Sequence, residues 1–300
     1  MTRFALVTAA AARGLDEDLP PLELALQSRS IAYSVVDWDA QVDWSAFDLT
    51  ILRSTWDYAG RLPEFLAATH RISQQTRLAN PVEVIVWNTD KHYLRDLAAR
   101  GCATVPTCFV EPGEPAVAAL TAFLVQCEAA EFVVKPAIGA GSRDAQRYSR
   151  TELPRAAQHI ERLGAAGRSA VLQPYLASVD HQGETALIYF RGQYSHAVRK
   201  GPLLRPGRDA TRALFAPEHI TSRVPCADEL SCARRALEVL PFPELLYARV
   251  DLIRDAQGAP RILEVELTEP SLFFNYAPDS AGDLADAALA HLAKMAGAEL

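Results

Sequence analysis

The chain has 300 residues, 49% hydrophobic and 22% charged, the composition of an ordinary globular protein long enough to divide into two or three units. A formal charge of −7 and a pI near 5.6 exclude non-specific nucleic-acid binding, which rests on phosphate neutralisation. No run of about 18 apolar residues suggests a membrane span. Five cysteines without CxxC spacing, behind an acidic start with no signal-peptide core, point to reduced thiols and a cytoplasmic location.

In chain order, "RFALVTA" from Arg3 reads as a buried strand, and "LPPLELALQSR" as a helix with proline near its start. "IAYSVVDWD" and "FDLTILRSTWDY" supply further β-rich runs, and "RLPEFLAATHRISQQ" another amphipathic helix. This alternation predicts a small α/β layer with a parallel sheet, whose ligands bind beyond the strand carboxyl ends, where "RSTWDY" (Arg53 to Tyr58) sits. "ANPVEVIVWNTD" interrupts the pattern and leads into the helix "DKHYLRDLAARG", with Asn88, Thr89 or Asp90 as its cap and Gly101 as its stop. A boundary near residue 88 follows.

Beyond it come "VPTCFV", a helix near 114–127, the strand "FVVKP", a glycine-containing loop and the helical "ELPRAAQHIERLG". From 171 on, the strands read as antiparallel. "ETALIYF" and "YSHAVRK" are joined by Arg191-Gly192-Gln193, a hairpin whose register the loose alternation leaves open, and "DLADAALAHLAKMAG" closes the chain as a helix.

The concentration of acids in "ARVDLIRDAQGAPRILEVELTEP" is unusual for a buried strand pair. Folding it about the turn at 255–260 sets Asp251 opposite Glu264 and puts Arg249, Asp251, Glu264 and Glu266 on one sheet face. Three carboxylates so close raise one another's pKa unless a cation compensates, and hard oxygen donors suit Mg²⁺. The face is therefore expected to be strained without a bound cation. A solvated sheet face with alternating charge would carry the same residues.

Lys135, at a strand end before Pro136 and "AIGAGSRDA", fits a phosphate site in which small residues let backbone N–H groups approach oxygens. Taken alone, a surface turn with a solvated lysine is the better reading of this stretch, and the loop is not a Walker A motif. Lys91 opposes the dipole at a helix start, a cost that a bound anion would offset. "VLQPYL" breaks at Pro174, either as a hinge or as an extended segment offering backbone groups to a purine edge.

The order of these elements (lysine before a helix, strand-Lys-Pro with a small-residue loop, "QPYL", "GET", "RVD", "LEVE") resembles the ATP-grasp superfamily in its glutathione-synthetase-like branch. The resemblance covers roughly 88 to 275. "LRSTWDY", "KPAIGAGSRDA", "YSHAVRKG" and "ARVDL" look like the subgroup that includes the D-cycloserine-forming ligase of antibiotic biosynthesis.

The resemblance implies an α/β (α+β) fold, with a Rossmann-like pre-ATP-grasp domain over 1–88 and ATP-grasp subdomains over 89–172 and 173–300. It implies ATP and Mg²⁺ (or Mn²⁺) as cofactors. Lys91 and Lys135 match the phosphate lysines, Gly139, Gly141 and Ser142 the loop that closes over them, and Gln173, Pro174, Tyr175 and Leu176 the adenine-binding linker. Glu184 falls near the ribose or that linker, and Asp251, Glu264 and Glu266 match the metal ligands. The family's usual last motif is Glu-x-Asn, so Glu266 is a departure that adds negative charge and leaves its coordination open.

The activity implied is an ADP-forming carbon–nitrogen ligation through a phosphorylated substrate oxygen, with an intramolecular cyclisation as one form. Arg249 is the candidate for stabilising the tetrahedral oxyanion, with a structural ion pair to Asp251 as its alternative. Lys200 and Arg199 are candidates for the γ-phosphate or the substrate. Arg53, Ser54, Thr55, Trp56, Asp57 and Tyr58 suit a small zwitterion, with Arg53 for its carboxylate, although a capped helix start explains three of them. His196, which packing explains as readily, and Glu269, just past the strand, complete the substrate set. The partner expected is a small amino-acid-like molecule, with no nucleic acid and no membrane, and a homodimer is the assembly left open. Two rivals remain: a ligase adding amino acids to a peptide or protein, and an ATP-binding regulatory protein without turnover.

Overall fold

A computed structural model of the chain describes residues 2–205, 207, 211, 213–214, 218–242 and 244–297. The first apolar run forms β1 (Arg3–Thr8), flanked in parallel by β2 (Ala32–Asp37) and β3 (Leu49–Ser54), with β4 (Arg77–Leu78) giving the order β2-β1-β3-β4. Its helices α1 (Leu19–Ser28) and α2 (Leu62–Ser73) each carry proline in the first turn, where a missing N–H costs no helical bond. The chain leaves β1 towards β2 on one side while β3 lies on the other. The carboxyl ends of β1 and β3 thus flank a switch point, the usual ligand position in such sheets.

The stretch after Asn80-Pro81 differs from its reading as an interruption: it contains α3 (Val82–Asn88), and α4 (Tyr93–Ala99) starts only afterwards. Burial of Val82, Val84 and Ile85 outweighs the modest helix propensity of β-branched residues. The cap of α4 also differs. His92 stands at its N-cap with no side-chain bond, while Asn88 reaches the far edge of the protein's largest sheet.

A second, antiparallel sheet has the order β5-β8-β6-β7, from β5 (Cys108–Val110), β6 (Glu131–Pro136), β7 (Gln146–Ser149) and β8 (Ala170–Pro174). The helices α5 (Ala116–Gln126) and α6 (Leu153–Ala165) share its core.

The short α7 (Val179–Gln182) precedes the third sheet, ordered β11-β10-β9-β12-β13. Its strands β9 (Glu184–Phe190) and β10 (Gln193–Lys200) form the expected hairpin, with Arg191 and Gly192 both left-handed at φ 49° and 75°. A bulge between Tyr194 and His196 shifts the register, which is why the alternation is loose there. Then follow β11 (Ile220–Arg223), α8 (Ala227–Glu238), β12 (Tyr247–Arg254) and β13 (Pro260–Glu266).

The last helix, α9 (Ser280–Gly297), packs back on α1, and Phe4, Leu6, Ile188, Tyr247 and Leu284 belong to one core shared by the first and third sheets. The outer edge of β13 is closed at Ile262 by backbone bonds with Ala103 and Val105 and, further along, by side chains. Asn88 donates to the Val265 carbonyl and accepts from the Leu267 N–H, each at 2.7 Å, and the Tyr93 hydroxyl accepts from the Val265 N–H at 3.0 Å. No described helix is long and apolar enough to cross a membrane, and the five cysteines are free thiols.

Candidate active site

Along β12, Ala248, Val250 and Leu252 enter the core beneath α8, so the period of two sends Arg249 and Asp251 to the opposite face. Across the hairpin Arg249 stands opposite Glu266 and Asp251 opposite Glu264. One oxygen from each of Asp251, Glu264 and Glu266 lies within 4.8 Å of the others, a hard-oxygen set that fits a divalent cation such as Mg²⁺.

Their charge is better compensated than the sequence suggested. Arg249 Nε is 2.8 Å from Asp251 Oδ1, Lys200 Nζ is 3.0 Å from Asp251 Oδ2, and Arg249 also pairs with Glu266. Lys135 Nζ and Lys91 Nζ converge on the same oxygen of Glu264, at 3.0 and 3.5 Å. Burial opposes ionisation of Glu264, yet Lys91 and Lys135 hold its carboxyl well below the usual range. Burial is likewise overcome at Asp251 by Arg249 and Lys200. The strain collects on two other acids. Burial, opposed by Arg249 and aided by repulsion from Asp251 and Glu264, pushes Glu266 up to about 7, and burial with repulsion from Glu266 pushes Glu269 up to about 8.

Lys135 ends β6, and Lys91 Nζ also donates to the Gly139 carbonyl at 3.0 Å, tying the lysine to the small-residue loop. In that loop Gly141 and Ser142 are both left-handed, at φ 60° and 59°. Asp144 secures its far end through Arg168 at 2.9 Å. Gln173 to Leu176 continue β8 along the same cavity, with the Gln173 amide held by the Thr107 hydroxyl at 2.9 Å. Glu184 faces the cavity too, 3.3 Å from Lys200, and burial raises its pKa despite that lysine. The cavity they share measures about 340 Å³, within the range of small-molecule sites.

Along the same cavity the "RSTWDY" stretch divides. Trp56 and Tyr58 line the cavity, whereas Ser54 bonds Thr8 at 2.8 Å and Asp57 accepts from Trp38 Nε1 at 2.8 Å, both away from it. Thr55 is buried and also outside the lining. Arg53 is 1% exposed and directs its guanidinium at the Pro270 carbonyl and Asp18, so the expected contact with a substrate carboxylate has no open path. His196 donates to the Leu272 carbonyl, and Arg199 turns to the carbonyls of Gln182 and His181. Glu269 does line the cavity.

Sequence reasoning missed Asp16, Glu17, Phe273 and Tyr276, which face the same space, and Asp18 at its margin. Asp16 Oδ2 is buried there without a hydrogen-bond partner among the described residues. The acids of "LDED", in the connection between the first strand and the first helix, are a usable signal, but nothing local marks Phe273.

Comparisons with known proteins agree on one family. A family model for the N-terminal domain of the D-cycloserine synthetase DcsG matches residues 4–80. The cycloserine biosynthesis protein DcsG of Streptomyces lavendulae is 44% identical over 286 residues, covering 93% of this chain and 95% of that protein. The crystal structure of D-cycloserine synthetase DcsG superposes with a TM-score of 0.91 at 41% identity, over 97% of this chain and 99% of that one. The ATP-grasp ligase PsnB, solved with a phosphomimetic variant of its minimal precursor, Mg and ADP, shares the fold: its TM-score is 0.64 at 18% identity, over 97% of this chain and 98% of that one.

Proposed function

Because the chain belongs to the D-cycloserine synthetase family of ATP-grasp ligases, we propose that it closes a carbon–nitrogen bond in a small amino-acid-like molecule, with D-cycloserine or a close analogue as the product. In the reaction the γ-phosphoryl group of ATP passes to a carboxylate or carbonyl oxygen of the substrate, giving ADP. A nitrogen then attacks the activated carbon, the carbon–oxygen bond to phosphate breaks, phosphate departs with the electron pair, and the nitrogen gives up its proton. D-cycloserine is a ring, so both groups can come from one molecule.

The observation that carries this reading is a cavity lined both by Lys91, Lys135, Glu264 and Glu266, with Asp251 buried behind them, and by Trp56, Tyr58 and Glu269. Mg²⁺ held by Asp251, Glu264 and Glu266 would supply charge neutralisation for phosphoryl transfer. Lys91 and Lys135, both now on Glu264, are the cations for the phosphates, and Glu264 would be among the residues holding the metal. Gln173 to Leu176 hold the adenine edge by backbone groups. Arg249, fixed by Asp251 and Glu266, stabilises the oxyanion that forms when nitrogen adds. Asp16 and Glu269 offer acceptors for the substrate's ammonium group. The loop around Gly141 excludes water, which would otherwise hydrolyse the phosphorylated intermediate.

Incubation with ATP, Mg²⁺ and candidate amino acids tests this. ADP and phosphate released in equal amounts, and only with a particular amino acid, are expected. AMP with pyrophosphate would refute the phosphorylated intermediate, and tight ATP binding without turnover would favour a regulatory protein.

A further inference from the structure

Residues Thr268–Leu272 run irregularly along the cavity wall, yet each of their five carbonyls accepts a hydrogen bond from a different side chain. The Tyr247 hydroxyl donates to Thr268 at 2.9 Å, Trp56 Nε1 to Glu269 at 3.4 Å, Arg53 to Pro270 at 3.1 Å, Arg249 to Ser271 at 3.0 Å and His196 Nε2 to Leu272 at 2.7 Å. From the N-terminal domain, Asp18 accepts from the N–H groups of Leu272 and Phe274 at 2.5 and 2.9 Å, one with each oxygen. Between those two N–H groups Phe273 is left-handed, at φ 57° and ψ 41°. A bulky residue avoids that conformation, and it persists only where the surroundings over-determine it. The side chains of Leu272 and Phe274 are buried in the shared core, while the half-buried Phe273 ring packs against that core on one side and lines the cavity on the other, its centroid 5.4 Å from the Arg249 guanidinium carbon.

We infer that Thr268–Phe274 is a substrate-recognition strap held in place from both sides, and that Asp18 and His196 are its positioning residues. They act on the amino-acid substrate through Phe273 and Glu269 without touching it. His196 suits this role as a neutral ring: burial lowers its pKa, Nε2 carries the proton donated to Leu272, and Nδ1 accepts from the Ser195 hydroxyl at 2.9 Å. The same clamp explains why Arg53 is deeply buried with its guanidinium on a carbonyl. Four donors foreseen as substrate or catalytic groups (Arg53, Trp56, His196 and Arg249) hold consecutive carbonyls of one strap. The inference rests on the ligase reading of this cavity.

The test compares His196→Ala, His196→Gln and Asp18→Asn with the wild type. D-cycloserine binding in the presence of MgADP, MgADP binding alone, and amide hydrogen exchange over 268–276 are measured on the full chain. Glutamine can place a donor where Nε2 stands, so His196→Gln is expected to keep D-cycloserine affinity within about threefold, while His196→Ala and Asp18→Asn lose about tenfold or more. MgADP affinity is expected to stay within about twofold in all three, and exchange at Leu272 and Phe274 to rise in Asp18→Asn. Unchanged exchange in Asp18→Asn overturns the strap, as does an equal loss of D-cycloserine and MgADP affinity in His196→Ala. If the wild type does not bind D-cycloserine, the substrate reading fails instead. Exchange together with MgADP affinity then decides the strap: faster exchange with MgADP unchanged supports it, and any other pair refutes it. Should Asp18→Asn not fold, the His196 pair carries the same comparison.

Discussion

The two ends of the cavity are held by different means. In the region proposed for the nucleotide, charged side chains are set against one another: two lysines share one oxygen of Glu264, and Arg249 and Lys200 share Asp251. At the substrate end, side chains are set against backbone, and the strap from Thr268 to Leu272 has a donor on every carbonyl. The first arrangement can be reorganised when a polyanion and a cation enter, because each lysine has a better partner in a phosphate. The second offers its donors no such alternative, which is why the strap is expected to keep its shape when a ligand enters. A ligase needs both properties, adaptable charge where phosphoryl transfer occurs and a fixed wall where a small substrate must be oriented.

Substitutions at the two ends should separate these properties. The largest effect is expected from Glu264→Gln, a loss of turnover on the order of 10²–10³-fold, with a lower melting temperature in the nucleotide-free protein because Lys91 and Lys135 lose their shared carboxylate, measured by ADP release and calorimetry. Turnover near wild type would show that this carboxylate is not needed for metal. Next, Lys135→Ala removes a charge-assisted contact of about 1.5–3 kcal/mol, so KM for ATP should rise on the order of tenfold or more while KM for the amino acid stays. A smaller effect is expected at the strap. Phe273→Gly relieves a left-handed strain of about 1–2 kcal/mol but removes a ring that both lines the cavity and packs against the shared core. KM for the amino acid should rise several-fold with a modest fall in melting temperature, and a fall in melting temperature with KM unchanged would mean that the ring serves the core alone.

The smallest effect is one of pH. Glu269 titrates at about 8 in the fold against an ordinary 4.5, so between those values the folded state keeps a proton that the unfolded state has released. Stability is therefore lost as pH rises through that window. Glu269→Gln cannot titrate, so in nucleotide-free protein its melting temperature should gain on wild type as pH goes from 5 to 8, by on the order of a few degrees. A difference independent of pH would show that Glu269 is ionised throughout.

The same contrast governs what could be read in the sequence. Asp251 opposite Glu264 follows from a period of two about a turn, and the parallel N-terminal sheet follows from strand–helix alternation. The helix over Val82–Asn88 does not, since its valines read as strand or linker until their burial is known. Arg53 and His196 are recognisable as functional residue types, but their targets are carbonyls 217 and 76 positions away, and a carbonyl carries no side-chain signature. Phe273 is less visible still: its left-handed backbone depends on Asp18, 254 and 256 positions from the two N–H groups it holds.

The most direct measurement takes both Michaelis constants, for ATP and for the amino acid that elicits ADP release, in Lys135→Ala and Phe273→Gly side by side. Separate ends predict a crossed result, with ATP weakened only in the first variant and the amino acid only in the second. Both constants moving together in either variant would contradict the division of the cavity into an adaptable nucleotide end and a fixed substrate wall.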